Sequence, residues 1–206
     1  MQTIDVYDFD GTIYRGDSTV DFLLFVLNRQ KWLAFFLVLL IPDVIHLCVT
    51  RDLTRFKSKL FSMLSRHMDL EASGKAFWAS RRAQEKINGW FADRRSDLPV
   101  VIASASPDFE LKWIAGQLGT DLICTCCDAE TGRVIGKNCK SSEKIRRIRE
   151  KYGNVSVRAM YTDNIRADRP LLELASEQYL VDPKSGSVTR ISLEDYSNTV
   201  RKVEHV

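Results

Sequence analysis

Histidine is scarce in this chain of 206 residues: there are three, His46, His67 and His205, far apart in the sequence. They offer no clustered metal ligands. Charge of one sign is not in excess either. Lys and Arg number 30 against 27 Asp and Glu, a net of +3, which is too slight to argue for a nucleic-acid partner. Biased composition is absent, with 45% hydrophobic and 28% charged residues, so collagen-like, low-complexity and acidic disordered chains are excluded. The length suits one domain, or one domain with a modest insertion. The first residues lack a basic stretch followed by an apolar one, so no secretory signal is expected. The five cysteines (48, 124, 126, 127 and 139) then read as reduced thiols of a cytosolic protein. The CTCC at 124–127 lacks the spaced pairs of a structural zinc site, and its CTC alternates like a strand.

A membrane-spanning stretch is also missing, though narrowly. Residues 32–41 read WLAFFLVLLI, ten apolar residues without a break. Extension to Val49 meets Pro42, Asp43 and His46, whereas a spanning helix needs about 20 mainly apolar residues. The run is therefore expected to be a buried helix, with a helix resting on a membrane as the second reading and a true span as the last.

What is present is an alternation of strands and helices. TIDVYD at 3–8 is β-prone, and the FDGT that follows contains a tight turn. Residues 17–91 read as helical, with Phe56, Leu60, Met63 and Leu64 at helical spacing and Phe77, Trp78, Ile87, Trp90 and Phe91 continuing as plain core. PVVIAS at 99–104 predicts a buried parallel strand. A helix should follow, capped by Ser106 and ended by Gly119. A strand and hairpin are expected over 121–136, turning at Glu130–Thr131–Gly132. A helix over 142–152, a strand over 156–163, a helix capped by Asp168 and a last strand at 178–182 complete the pattern. The tail from Ser187 reads as polar and weakly helical. The expected fold is α/β: a parallel, doubly wound, Rossmann-like sheet with an α-helical cap inserted after the first strand.

Such sheets bind ligands beyond the carboxyl ends of their strands. The residues expected there are Asp8 and Asp10, Ser104 and Asp163. Carboxylates gathered at one site repel unless a cation lies between them. A hard, oxygen-rich set of this kind suits Mg²⁺ together with phosphate oxygens.

These residues carry a family resemblance. DFDGT at 8–12 resembles the first motif of the haloacid dehalogenase-like hydrolases. VVIASASP resembles the second, Lys144 in NCKSSEK the third and TDNIRAD at 162–168 the fourth. The resemblance implies Asp8 as nucleophile, forming an aspartyl-phosphate, and Asp10 as general acid and base. It implies phosphate binding by Gly11, Thr12, Ser104, Ala105 and Lys144. It further implies Mg²⁺ held by Asp8, the backbone carbonyl of Asp10 and Asp163, with Asn164 and Asp168 in support. Lys140 competes with Lys144 for the third motif, Asp168 is alternatively a helix cap, and Ser106 is read as a cap before a ligand.

The helical insertion, the SASP of motif two and the NC…EK of motif three are similar to the phosphoserine-phosphatase-like branch. Within it, the chain resembles bacterial members that include a phosphatidylglycerophosphate phosphatase. Residues 1–16 and 92–206 would form the core domain and 17–91 the cap. Asp17 falls where phosphoserine phosphatases hold the substrate amine. The implied function is a Mg²⁺-dependent phosphatase acting on a small-molecule or lipid phosphate monoester. It would be cytoplasmic, either free or in peripheral contact with the inner membrane face through the cap. A phosphotransferase and a non-catalytic phosphate-binding module are the competing readings. The substrate and the oligomeric state are not written in the sequence.

Overall fold

The computed structural model describes residues 2–95 and 97–194; His205 lies outside them. Six strands form one sheet: β1 (Gln2–Tyr7), β2 (Val100–Pro107), β3 (Asp121–Thr125), β4 (Val155–Thr162), β5 (Ala175–Val181) and β6 (Val188–Ile191). Their order is β3-β2-β1-β4-β5-β6, parallel throughout except for β6, which runs antiparallel to β5. β1 and β2 are rich in branched apolar residues because both faces of the sheet are covered. Ile4, Val6, Val101 and Ala103 enter one buried cluster, while Tyr7, Val100 and Ile102 enter the other. This is the doubly wound sheet expected from the sequence. β6 corrects the reading of the tail: Val188–Ile191 gain ladder partners on the sheet edge, which local propensity does not reveal.

Between β1 and β2 the described residues make six helices: α1 (Ser18–Arg29), α2 (Leu33–Val38), α3 (Ile41–Thr50), α4 (Leu53–Ser65), α5 (Leu70–Trp78) and α6 (Arg81–Gln84). A 3₁₀ turn at Gly89–Asp93 follows. Four of the helices start on side-chain caps, since Asp17, Asp52, Asp69 and Ser80 each accept a first-turn backbone N–H. Phe22, Leu60, Phe61, Leu64, Phe77 and Trp78 pack in one cluster with Phe9, Ile13 and Phe109 around the sheet. The apolar run departs from its expected burial. It breaks into α2 and α3, of which α2 buries only Leu33 and α3 buries nothing. No helix among the described residues is long and apolar enough to cross a membrane.

The remaining helices among the described residues are α7 (Asp108–Leu118), α8 (Ser142–Tyr152) and α9 (Ile165–Leu172). Gly119 ends α7 in the left-handed region, φ 64°. Two expected caps are displaced. β2 continues to Pro107, so Ser106 lies on the strand and caps nothing. α9 begins three residues before Asp168, capped by Asn164, whose side chain accepts from Ala167 N at 3.0 Å. Asp168 is thereby drawn inside the helix, where an ion pair holds it.

Candidate functional site

The order of the sheet puts a switch point between β1 and β4, with chain connections leaving in opposite directions. Asp8 follows the last residue of β1, and Asp163 follows the last residue of β4. Both line a cavity of about 410 Å³ together with Asp10, Ser104, Ala105 and Lys144. Asp17, Asn164, Asp168 and Lys140 also border it. The opposite wall is apolar and comes from α1 and α4: Val20, Leu23, Leu53, Phe56 and Leu60.

Asp8 Oδ1 accepts from Phe9 N at 2.9 Å and from Lys144 Nζ at 3.0 Å. Its Oδ2 accepts no hydrogen bond among the described residues. Lys144 is buried, and its Nζ also lies 2.7 Å from Asp168 Oδ1. Thr162 Oγ1 donates to the other Asp168 oxygen at 2.8 Å. Burial opposes the charge on Lys144, but the carboxylates of Asp8 and Asp168 outweigh it and hold the ammonium firmly protonated. Lys140 is exposed, so Lys144 is the lysine in contact with Asp8.

Asp10 is gripped at both oxygens. Ser18 N donates to Oδ1 at 2.7 Å and Ser106 Oγ to Oδ2 at 2.5 Å. Burial pushes the Asp10 carboxyl above its ordinary range, and the charge of Asp17 adds to this. Asp8 is pushed up by burial and by the Asp168 and Asp10 charges, against the pull of Lys144. Asp163 is raised to about 6, mainly by burial. The crowding fits a divalent cation: hard oxygen donors line one cavity, their pKa values raised chiefly by burial and further by neighbouring acids. The residues implied as ligands are two carboxylates and one backbone carbonyl. Among the described residues, no trio of His, Cys, Asp or Glu side chains is assembled as a metal cage, and the cysteines form none.

Gly11 is required by the packing of the turn itself. Its φ is 72°, and a Cβ there would lie 2.3 Å from Asp163 Oδ2. The turn after β1 is therefore closed against the turn after β4. Thr12 is wholly buried, with its carbonyl accepting from Asn88 Nδ2 at 2.7 Å, and it does not border the cavity. Ser104 is buried at the cavity with its Oγ accepting from Ser106 N at 3.1 Å. Asp17 caps α1 through Val20 N at 2.9 Å while bordering the cavity.

Several site residues escaped the sequence reading. Lys57 of α4 reaches across from the insertion, its Nζ donating to Ala105 O at 2.6 Å and to Asn138 Oδ1 at 3.2 Å. Burial lowers its pKa. A signal existed: Leu53, Phe56 and Leu60 make an apolar helical stripe, and Lys57 sits inside it. Glu110 is fully buried in α7 and pushed up to about 8, chiefly by burial. Thr19 Oγ1 lies 3.1 Å from both Glu110 Oε2 and Ser106 Oγ, linking Glu110 to the residue that holds Asp10.

A doubly wound parallel sheet with an acid-rich crevice at its switch point defines the class as an α/β enzyme fold. The chain belongs to the haloacid dehalogenase-like hydrolases, whose family model matches residues 6–173. It is 30% identical to protein CicA of Caulobacter vibrioides over 188 residues, which cover 84% of this chain and 82% of that protein. A Bordetella pertussis Tohama I protein of unknown function superposes with a TM-score of 0.69 at 18% identity, covering 97% of this chain and 96% of its own. A phosphoserine phosphohydrolase-like protein from Francisella tularensis subsp. tularensis SCHU S4 gives 0.52 at 17% identity, covering 86% of each chain. At those identities what the structures share is the fold.

Proposed function

We propose that the protein is a Mg²⁺-dependent phosphatase that hydrolyses a phosphate monoester through an aspartyl-phosphate on Asp8. The observation that carries this reading is the pairing of Asp8 with buried Lys144 at the cavity, one Asp8 oxygen fixed and the other free. Asp8 Oδ2 attacks phosphorus as the bond to the leaving oxygen breaks. Asp10, whose carboxyl is shifted upward by burial and by the Asp17 charge, gives its proton to that oxygen. The Asp10 carboxylate then takes a proton from water, whose oxygen attacks phosphorus and frees Asp8 and inorganic phosphate. Lys144 and Ser104 would hold phosphoryl oxygens, with Ala105 at the same strand end. Asp8, Asp163 and the Asp10 carbonyl would hold Mg²⁺, with Asn164 and Asp168 behind them. The cation supplies positive charge to the transferring phosphoryl group.

Purified protein is expected to release phosphate from p-nitrophenyl phosphate with Mg²⁺ and to lose that activity with EDTA. Turnover that survives EDTA would overturn the metal requirement. Retention of the phosphoryl group by an added alcohol, in place of free phosphate, would identify a phosphotransferase. Gly11→Ala should cost about 1–2 kcal/mol in left-handed strain. It should also lower kcat by roughly tenfold or more by displacing Asp163. A thermal melt and the same assay check both effects.

The apolar wall favours an ester with an apolar portion, and Lys57 beside it suits a further anionic group. That arrangement supports a lipid phosphate such as phosphatidylglycerophosphate over phosphoserine, since Asp17 already spends one oxygen capping α1. Turnover of both esters, with and without liposomes, separates the two substrates.

A further inference from the structure

Much of the apolar run is surface, although Leu33 and Leu40 are buried. Phe35 is 71% exposed, Ile45 61% and Val49 79%, with Trp32, Leu39 and Ile41 also more than half exposed. Soluble monomers rarely leave so continuous an apolar patch uncovered. The two helices are nonetheless seated. Trp32 and Phe36 pack their rings on His67, with centroids at 5.1 and 4.5 Å. Arg55 of α4 lies 3.3 Å from His46 and 3.8 Å from Asp43, both on α3.

Charge is concentrated around the same segment. Residues 29–66 contain seven Lys and Arg against Asp43 and Asp52, a net of +5 in a chain whose total is +3. All the other residues together are therefore net negative. Arg29 and Lys31 precede the apolar helices, and Arg51 and Arg55 follow them; all four are exposed.

We infer that α2 and α3 form a docking surface for an anionic phospholipid bilayer, lying in its interface. α3 has ten residues, about 15 Å of helix, half of the ~30 Å hydrocarbon core, so it lies on the bilayer and does not cross it. Exposed aliphatic and aromatic side chains enter the acyl boundary while the flanking basic residues meet lipid phosphates. A second copy of the chain is disfavoured as occupant, because two surfaces each flanked by exposed Arg29, Lys31, Arg51 and Arg55 would face each other. Docking there brings the lipid surface to the segment joining α1 and α4, the helices that form the apolar cavity wall.

The test uses the full chain and sucrose-loaded vesicles of phosphatidylcholine, alone or mixed with phosphatidylglycerol. The protein should pellet with the mixed vesicles at low salt. It should bind roughly tenfold more weakly at about 1 M salt, where the screening length is ~3 Å. Trp32 fluorescence should shift to the blue on binding, and Trp32→Phe should lose that change. Phe35→Ser/Ile45→Ser/Val49→Ser should lower binding by roughly tenfold or more while leaving p-nitrophenyl phosphate turnover unchanged, which shows that the fold is intact. Asp8→Asn should bind like the native protein, so docking and catalysis fail independently. Active protein that ignores anionic vesicles at low salt would overturn the inference. So would a triple-serine variant that still pellets, or a dimer that the three serines dissolve while vesicles go unbound.

Discussion

Asp8→Asn is expected to lower phosphate release by on the order of 10⁴-fold or more while leaving the protein at least as stable as before. The two halves of this expectation have one cause. The Asp8 carboxylate is half-buried beside Asp10, Asp168 and Lys144, and desolvation with the neighbouring acids raises its pKa in the folded state. A carboxyl whose folded pKa lies above its unfolded value costs stability as pH rises between the two, because the unfolded chain ionises more readily. An amide of the same shape removes that cost. Asn Oδ1 still accepts from Phe9 N and from Lys144 Nζ, so the turn after β1 keeps its bonds. The amide nitrogen in the place of Oδ2 carries no charge to attack phosphorus. Reactivity at a functional site is commonly held at the expense of stability in this way. A thermal melt without metal and a phosphate-release assay on the same preparation measure both effects. Turnover within tenfold of native would eliminate Asp8 as nucleophile.

The sheet and its acids were legible because local signals carried them: branched apolar runs, a DxDGT turn and acids directly after strands. Periodicity gave the helices between β1 and β2, and composition placed Phe77, Trp78 and Phe91 in the core. What stayed hidden was decided by distant partners. Ser106 looks like a helix cap beside Pro107, yet it lies on β2 and its hydroxyl is claimed by Asp10, 96 residues earlier. Asp168 also has the form of a cap, ahead of Arg169 and Pro170. It lies instead within the first turn of α9, paired with Lys144, and the cap is Asn164. The burial expected of the apolar run failed for another reason. Hydrophobicity states what water disfavours, and it does not state which surface will cover the residue. Lys57 was readable in retrospect, as one charge inside an apolar stripe whose other members wall the cavity.

Lys144→Met is expected to damage both the fold and the reaction, and a second substitution should separate the two. Lys144 is 3% exposed at its side chain, between Asp8 and Asp168, and Asp168 is 1% exposed. Removing one partner of a buried ion pair strands the other, at about 3–5 kcal/mol. For a domain of this length that lowers Tm by roughly 10 °C or more. Adding Asp168→Asn to Lys144→Met removes the more deeply buried of the two stranded charges, Asp8 being partly exposed at the cavity, and the Asn oxygen can still accept from Thr162 Oγ1, which now donates to Asp168 at 2.8 Å. Most of the lost stability should return, because a neutral buried group asks only for a hydrogen bond. Activity should not return, since neither residue of the double variant brings positive charge to a phosphoryl oxygen. Urea unfolding and phosphate release across the native protein and the three variants make a double-mutant cycle. Stability that stays low in the double variant would mean that Lys144 acts through packing. Activity that recovers with stability would mean that Lys144 only supports the fold, and the electrostatic role assigned to it would be lost.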